Sequence, residues 1–216
     1  GIKILERHRM GSASGAGAHV EECRLGERTL TMLRDDLNIK KLTSGISGDF
    51  YKVHQAGEYG NGCLCGFWWV NTSEGWDERT DKESIAQREE LFASGIEDGY
   101  ILYLKDQPTG WCQVYQRDQL PNLMNTFHFA SNPEIWCISC FMIVPEARGQ
   151  GLAHQFLALV LEDLKARGVK KVQAYPRCQD GLEATDVWTG PEALYIRAGF
   201  TRIIDHPRRS IWEKVL

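Results

Sequence analysis

One segment constrains this chain more than any other. Ile135-Trp-Cys-Ile-Ser-Cys-Phe-Met-Ile143 is an almost unbroken apolar run of strand length, and it feeds Val144-Pro-Glu-Ala-Arg-Gly-Gln-Gly-Leu-Ala-His154. Such a run fits a strand buried on both faces. Behind the glycines, Leu152, Phe156, Val160 and Leu164 recur at steps of four, and Leu157 and Leu161 widen the stripe. The turn therefore opens directly into an amphipathic helix, which Gly168 stops. Backbone N–H groups at such a helix start have no intrahelical partner, and the helix dipole favours an anion there. Glycines let a ligand approach the main chain, and Arg148 adds fixed positive charge beside them. The pattern fits a pyrophosphate site over residues 148–153, or a plain strand–helix turn whose glycines serve geometry alone. It is not a P-loop, because no Lys-Ser/Thr pair follows the glycines. Nor is it the dinucleotide fingerprint, because His154 stands where a third Gly or Ala belongs.

Elsewhere the elements are read more coarsely. Residues 38–42 suggest a strand. Asp81 suggests the cap of a helix over 82–94, whose apolar residues Ile85, Leu91 and Phe92 are loosely periodic. Residues 100–104 and 111–115 read as an antiparallel hairpin turning on Asp106-Gln-Pro-Thr-Gly110. After the motif helix come a strand at 171–175 and a short helix opened by Pro191. That helix takes Thr189 or Gly190 as its cap and Gly199 as its stop. A terminal hairpin pairs 200–204 with 210–215 around His206-Pro207. This order predicts an α/β fold of the α+β kind, a mixed sheet covered by helices. Ser12-Ala-Ser-Gly-Ala-Gly-Ala18 has linker composition. Residues 1–36 are accordingly read as an extension, with 1–9 open to being an appended tag ahead of Met10, and 37–216 as the domain.

Charge and cysteine content narrow the function classes. With 25 Lys+Arg against 29 Asp+Glu the net charge is −4, and no basic block marks a nucleic-acid binder. No apolar run approaches the roughly 18 residues of a membrane span, and the first ten residues are charged throughout. The expectation is a cytoplasmic protein with neither nucleic acid nor membrane as partner. Seven cysteines, an odd number without framework spacing, are expected as free thiols. Cys137-Ile-Ser-Cys140 has the gap of a zinc knuckle, but strand alternation sets residues three apart on opposite faces, so no metal is expected.

Val144-Pro-Glu-Ala-Arg-Gly-Gln-Gly-Leu-Ala153 resembles motif A of the GCN5-related N-acetyltransferase (GNAT) superfamily, Arg/Gln-x-x-Gly-x-Gly/Ala, with Arg148, Gly151 and Ala153 at its defined positions. Leu194-Tyr-Ile-Arg-Ala-Gly-Phe200 resembles motif B, a helix ending in Tyr-x-x-x-Gly-Phe. The two occur in the family's order with a strand between them, and the likeness spans residues 38–216. Cys63-Leu-Cys-Gly-Phe-Trp-Trp69, Pro108-Thr-Gly-Trp-Cys-Gln-Val114 and Ala174-Tyr-Pro176 add a closer resemblance to a bacterial group of acetyltransferases. Members of that group pair a cysteine- and tryptophan-rich first segment with a Gly-Trp-Cys third strand.

The resemblance implies a GNAT-like sheet splayed between its fourth and fifth strands, with acetyl-CoA in the cleft. It implies that the amides of Gly149, Gln150, Gly151, Leu152 and Ala153, beside Arg148, hold the CoA pyrophosphate. The strand edge at Phe141, Met142 and Ile143 would pair with the pantetheine arm and offer an N–H to the thioester carbonyl. Tyr195 would protonate the departing thiolate. The general base stays open. Cys137 and Ser139 stand where several relatives carry Glu or His, and a buried thiol serves only if something activates it. Glu134 or His128 could act through a water, and solvent suffices if the amine arrives deprotonated. His154 is expected as a neutral surface or cofactor-facing imidazole. Phe67, Trp68, Trp69 and Trp76 are open between acceptor pocket and plain core. The implied activity is transfer of acetyl from acetyl-CoA to a primary amine of a small molecule, by direct attack in a ternary complex. A non-catalytic acyl-CoA-binding or sensory domain and an O-acyltransferase remain the alternatives. A homodimer is left open, since dimers are common in the superfamily.

Overall fold

The computed structural model describes residues 36–57, 62–206 and 209–216. Residues 1–35 of the expected extension and Pro207 lie outside the described residues. Leu37–Leu216 forms one compact unit built on a single seven-stranded sheet of order β1-β2-β3-β4-β5-β7-β6. The strands are β1 (Leu37–Lys41), β2 (Gly99–Leu104), β3 (Gln107–Gln116), β4 (Ile135–Ile143), β5 (Lys171–Ala174), β6 (Thr201–Ile204) and β7 (Ile211–Val215). The helices are α1 (Ser47–Ala56), α2 (Asp81–Ala93), α3 (Pro121–Phe127), α4 (Leu152–Ala166) and α5 (Glu192–Arg197). Among the described residues no helix is long and apolar enough to cross a membrane.

Every neighbouring pair of strands is antiparallel except β4 and β5. A parallel pair needs a crossover, and α4 supplies it. Its stripe of Leu152, Phe156, Leu157, Val160, Leu161 and Leu164 is buried, and Phe156 meets Phe141 of β4 with ring centroids 5.3 Å apart. β5 pairs with β4 only from Ile135 to Ile138. Beyond that point the strands part, so the second half of β4 keeps an edge without a strand beside it. This is the splayed mixed sheet that the resemblance implies.

Three local expectations need correction. The β2–β3 turn is Lys105-Asp106, with φ of 48° and 63°, as in the tight primed hairpin turns; Pro108, Thr109 and Gly110 lie inside β3. Helix α2 is capped by Thr80, not Asp81. The Thr80 hydroxyl accepts the Glu83 amide and the Glu83 carboxylate accepts the Thr80 amide, a capping box. Helix α5 takes Pro191 as its N-cap and has no side-chain cap bond from Thr189 or Gly190.

A fourth correction bears on the cysteines. Cys140 pairs with Gln113 and Cys137 with Tyr115, because a bulge between Gln113 and Val114 leaves Ser139 as the extra residue of β4. Gln113 and Tyr115 are two apart on β3, so Cys137 and Cys140 share one face rather than opposing each other. They still separate along the strand: Cys137 packs with Trp68, Leu120, Leu123, Tyr175 and Ile211, whereas Cys140 belongs to the larger core. Among the described residues no group of three His, Cys, Asp or Glu side chains is placed to hold a metal ion. The six described cysteines are free thiols.

Candidate active site

The motif-A turn takes its shape from its two glycines. A short 3-10 turn, Pro145–Ala147, ends β4, and Arg148 is extended. Gly149 and Gly151 then sit at φ of 76° and 74°, left-handed values that L-residues adopt with strain. A Cβ at either position would meet nothing within 4 Å, so both main-chain segments face open space. Gly151 is the N-cap of α4, which has neither a capping side chain nor an acidic residue in its first turn. The first amides of α4 are therefore left for something outside the helix. Arg148 is anchored by its Nε, which donates to the Ile143 carbonyl at 3.0 Å.

This turn borders a cavity of about 830 Å³. On its β4 side lie Cys140, Phe141, Met142 and Ile143, followed by Arg148, Gly149, Gly151, Leu152, Ala153 and His154. Gln150 is exposed. His54, Cys63, Cys65, Phe67, Trp76, Asp77 and Arg79 also line it, as do Val187, Trp188 and Pro191. The open edge of β4 is already partly engaged by the protein. The Phe141 amide donates to the Trp188 carbonyl at 2.8 Å, and Trp68 Nε1 donates to the Ser139 carbonyl at 3.1 Å.

Part of the wall is pinned by a buried polar network that the sequence did not announce. Arg88 and Asp98 form an ion pair with both side chains fully buried. Arg88 also donates through Nε and Nη2 to the Leu64 carbonyl. Gln113 Nε2 donates to the Cys65 carbonyl and to Asp98, and Trp69 Nε1 donates to Asp98 at 3.0 Å. These bonds fix the loop at residues 62–69, where Leu64 and Cys65 hold positive φ. Beside it, His54 Nδ1 donates to the Phe50 carbonyl at 2.9 Å, which leaves Nε2 as the acceptor facing Cys65 Sγ at 3.4 Å. Burial lowers the His54 pKa to about 4 and pushes the Cys65 thiol well up. The pair is a neutral imidazole on a neutral thiol, not an activated nucleophile.

The side chains expected to move protons do not line the cavity. Tyr195 is buried, and its hydroxyl donates to the Thr189 carbonyl at 2.5 Å. Burial raises its pKa well above the usual phenol value. Thr189 follows Trp188, so Tyr195 sits one layer behind the wall. Cys137 is fully buried and does not line the cavity, and burial pushes its thiol up so that it keeps its proton at neutral pH. Glu134 is exposed in the turn before β4, its amide donating to Asn132 Oδ1, and it too lies off the cavity. His128 is the left-handed C-cap of α3. Sequence reasoning missed His54, Asp77, Arg79 and Trp188 as lining residues, together with the Arg88–Asp98 pair.

The model of the acetyltransferase (GNAT) family matches residues 64–188, a span that includes the glycine turn, β4 and most of the loop at 62–69. The chain belongs to that family. A comparison with curated proteins returned no match. Among solved structures, the aminoglycoside acetyltransferase AAC(6')-Ib in complex with coenzyme A is 17% identical, with a TM-score of 0.54 over 83% of this chain and 94% of the other. The same protein with paromomycin and acetyl-CoA gives 17% identity and a TM-score of 0.56, over 83% and 93%. PH1933 from Pyrococcus horikoshii OT3 is 12% identical with a TM-score of 0.51, over 83% and 98%. These likenesses are of fold.

Proposed function

We propose that the chain transfers acetyl from acetyl-CoA to a primary amine of a small molecule, by direct attack in a ternary complex. The observation that carries this reading is the Arg148–Gly151 turn. Its two left-handed glycines and the uncapped start of α4 face open space at a large cavity. A pyrophosphate there would accept from the amides of Gly149, Gln150, Gly151, Leu152 and Ala153 and lie beside Arg148. Pantetheine would run along β4 at Phe141, Met142 and Ile143. Because the Phe141 amide is taken by Trp188, the Ile143 amide, two residues on and on the same edge, is the donor this reading assigns.

The amine, once deprotonated, attacks the thioester carbonyl; a C–N bond forms and the C–S bond breaks. The neutral Cys65–His54 pair supports direct attack over an acyl-cysteine, since neither partner carries the charge that nucleophilic catalysis needs. Solvent removes the amine's proton in this reading, as neither Cys137 nor Glu134 lines the cavity. Tyr195 protonates the thiolate and is restored by the proton that the nitrogen releases to solvent as the amide forms. Its raised pKa keeps the proton available, and its hydroxyl must exchange the Thr189 carbonyl for the sulfur. Residues 37–216 are the transferring domain and 1–36 an extension. A small-molecule acceptor accords with the paromomycin and kanamycin held by AAC(6')-Ib.

Incubation with acetyl-CoA and a panel of amines and alcohols tests the reading, with thiol release and product mass as readouts. N-acetylated product is expected. CoA binding without turnover would favour the sensory alternative, and turnover with alcohols alone would favour O-acyl transfer.

A further inference from the structure

Part of the cavity wall is built from rings. Phe67 stands edge-on to Trp76 with centroids 5.2 Å apart and to Trp188 at 5.9 Å, and all three line the cavity. Charge on this wall is sparse and paired in sign. Among the described lining residues Asp77 is the one carboxylate, and Arg79, two residues on, is the one guanidinium away from Arg148. Arg79 is held in place. Its Nη2 donates to the Glu83 carbonyl and to Gln87 Oε1, and its guanidinium lies 4.9 Å over the Trp76 ring. Its Nε is closed off from solvent and has no hydrogen-bond partner among the described residues. A guanidinium held by packing in this way loses little freedom when it meets an anion.

Resting on the acetyl-transfer reading, we propose that the acceptor is an α-amino acid with an aromatic or bulky apolar side chain. The side chain packs on Phe67, Trp76 and Trp188, where flat rings give area at small entropic cost. The carboxylate meets the Arg79 guanidinium, and the ammonium faces Asp77. A zwitterion matches one carboxylate and one guanidinium set two residues apart. A polycation needs several carboxylates, and the described wall has one. The ammonium loses a proton to solvent, the amine attacks the thioester, and the products are the N-acetyl amino acid and CoA thiol.

Calorimetric titration of the CoA-loaded protein with phenylalanine, phenethylamine and kanamycin tests this. Phenylalanine is expected to bind at least tenfold tighter than phenethylamine, which lacks only the carboxylate, and tighter than kanamycin. Arg79→Gln should remove that margin, so that phenylalanine and phenethylamine bind alike. Asp77→Asn, an exposed position, should weaken both phenylalanine and phenethylamine. Equal or tighter binding of phenethylamine or kanamycin, or unchanged phenylalanine affinity in both variants, overturns the inference while the acetyl-transfer reading stands. Failure to bind CoA at all removes the reading, and the inference with it.

Discussion

The amide of Phe141 donates to the carbonyl of Trp188 at 2.8 Å, so the protein's own chain occupies the edge of β4 where that strand leaves β5. A parallel bridge between Phe141 and Thr189 continues the contact. The segment is held from behind by the Tyr195 hydroxyl on the Thr189 carbonyl and by Arg209 on the Thr189 hydroxyl. Hydrogen exchange reads the consequence residue by residue. The Phe141 amide should be protected before any ligand is added, and the Ile143 amide should gain protection when acetyl-CoA binds. Protection gained at Phe141 instead would mean that the ligand displaces Trp188.

Tyr195→Phe keeps the ring against Phe200, whose centroid lies 5.3 Å away, and removes only the hydroxyl. If that hydroxyl delivers the proton to the departing thiolate, kcat should fall by about 10²-fold, the low end for general acid catalysis, because a thiolate leaves readily. Acetyl-CoA affinity should stay within about twofold. Wild-type kcat with a lowered Tm would make Tyr195 a positioning residue for the 188–190 segment.

The buried Arg88–Asp98 pair should dominate the stability of the cavity wall. Arg88→Met leaves the Asp98 carboxylate without its counter-charge and the Leu64 carbonyl without two donors. Breaking such a pair from one side costs about 3–5 kcal/mol. Denaturant unfolding should show a loss of that size, against less than about 0.5 kcal/mol for a substitution at exposed Lys82.

His54 gives a pH dependence of defined sign. Its folded pKa is lowered to about 4 by burial, against about 6.5 unfolded. The unfolded chain therefore binds the proton first, and the stability this residue contributes is complete above about pH 6.5 and lost as pH falls towards 4. The swing is on the order of 3 kcal/mol. His54→Phe should flatten the stability profile between pH 7 and 5; an unchanged acid limb in the variant would contradict the assignment.

The strand, glycine turn and periodic helix were legible because each rests on local physics: an apolar run, left-handed glycines and a stripe at steps of four. What escaped the sequence depends on pairing across the chain. The bulge at Ser139 arises between strands, where its hydroxyl bonds Gln113 at 2.9 Å, and it reverses an alternation that the primary structure alone implies. Helix α2 looked poorly periodic because Ser84 and Arg88 fill two of its buried positions beside Leu91 and Phe92; the stripe is complete but half of it is polar. The hairpin was misplaced because Pro108 and Gly110 drew the turn, when the bend is made at Lys105-Asp106. Asp77 and Arg79 lie outside the loop at 62–69, and Arg79 is tied to it through Gln87, whose Nε2 donates to the Gly66 carbonyl.

Acetyl-CoA binding to Gly151→Asp tests the central claim most directly. Asp is among the L-residues that best tolerate the left-handed conformation Gly151 holds, and its Cβ meets open space, so the variant should fold. It adds negative charge where the pyrophosphate is placed, and Gly151→Asn supplies nearly the same shape without the charge. Calorimetric titration should show binding abolished in Gly151→Asp and retained, though weakened, in Gly151→Asn. A folded Gly151→Asp variant that binds acetyl-CoA with wild-type affinity would contradict the account.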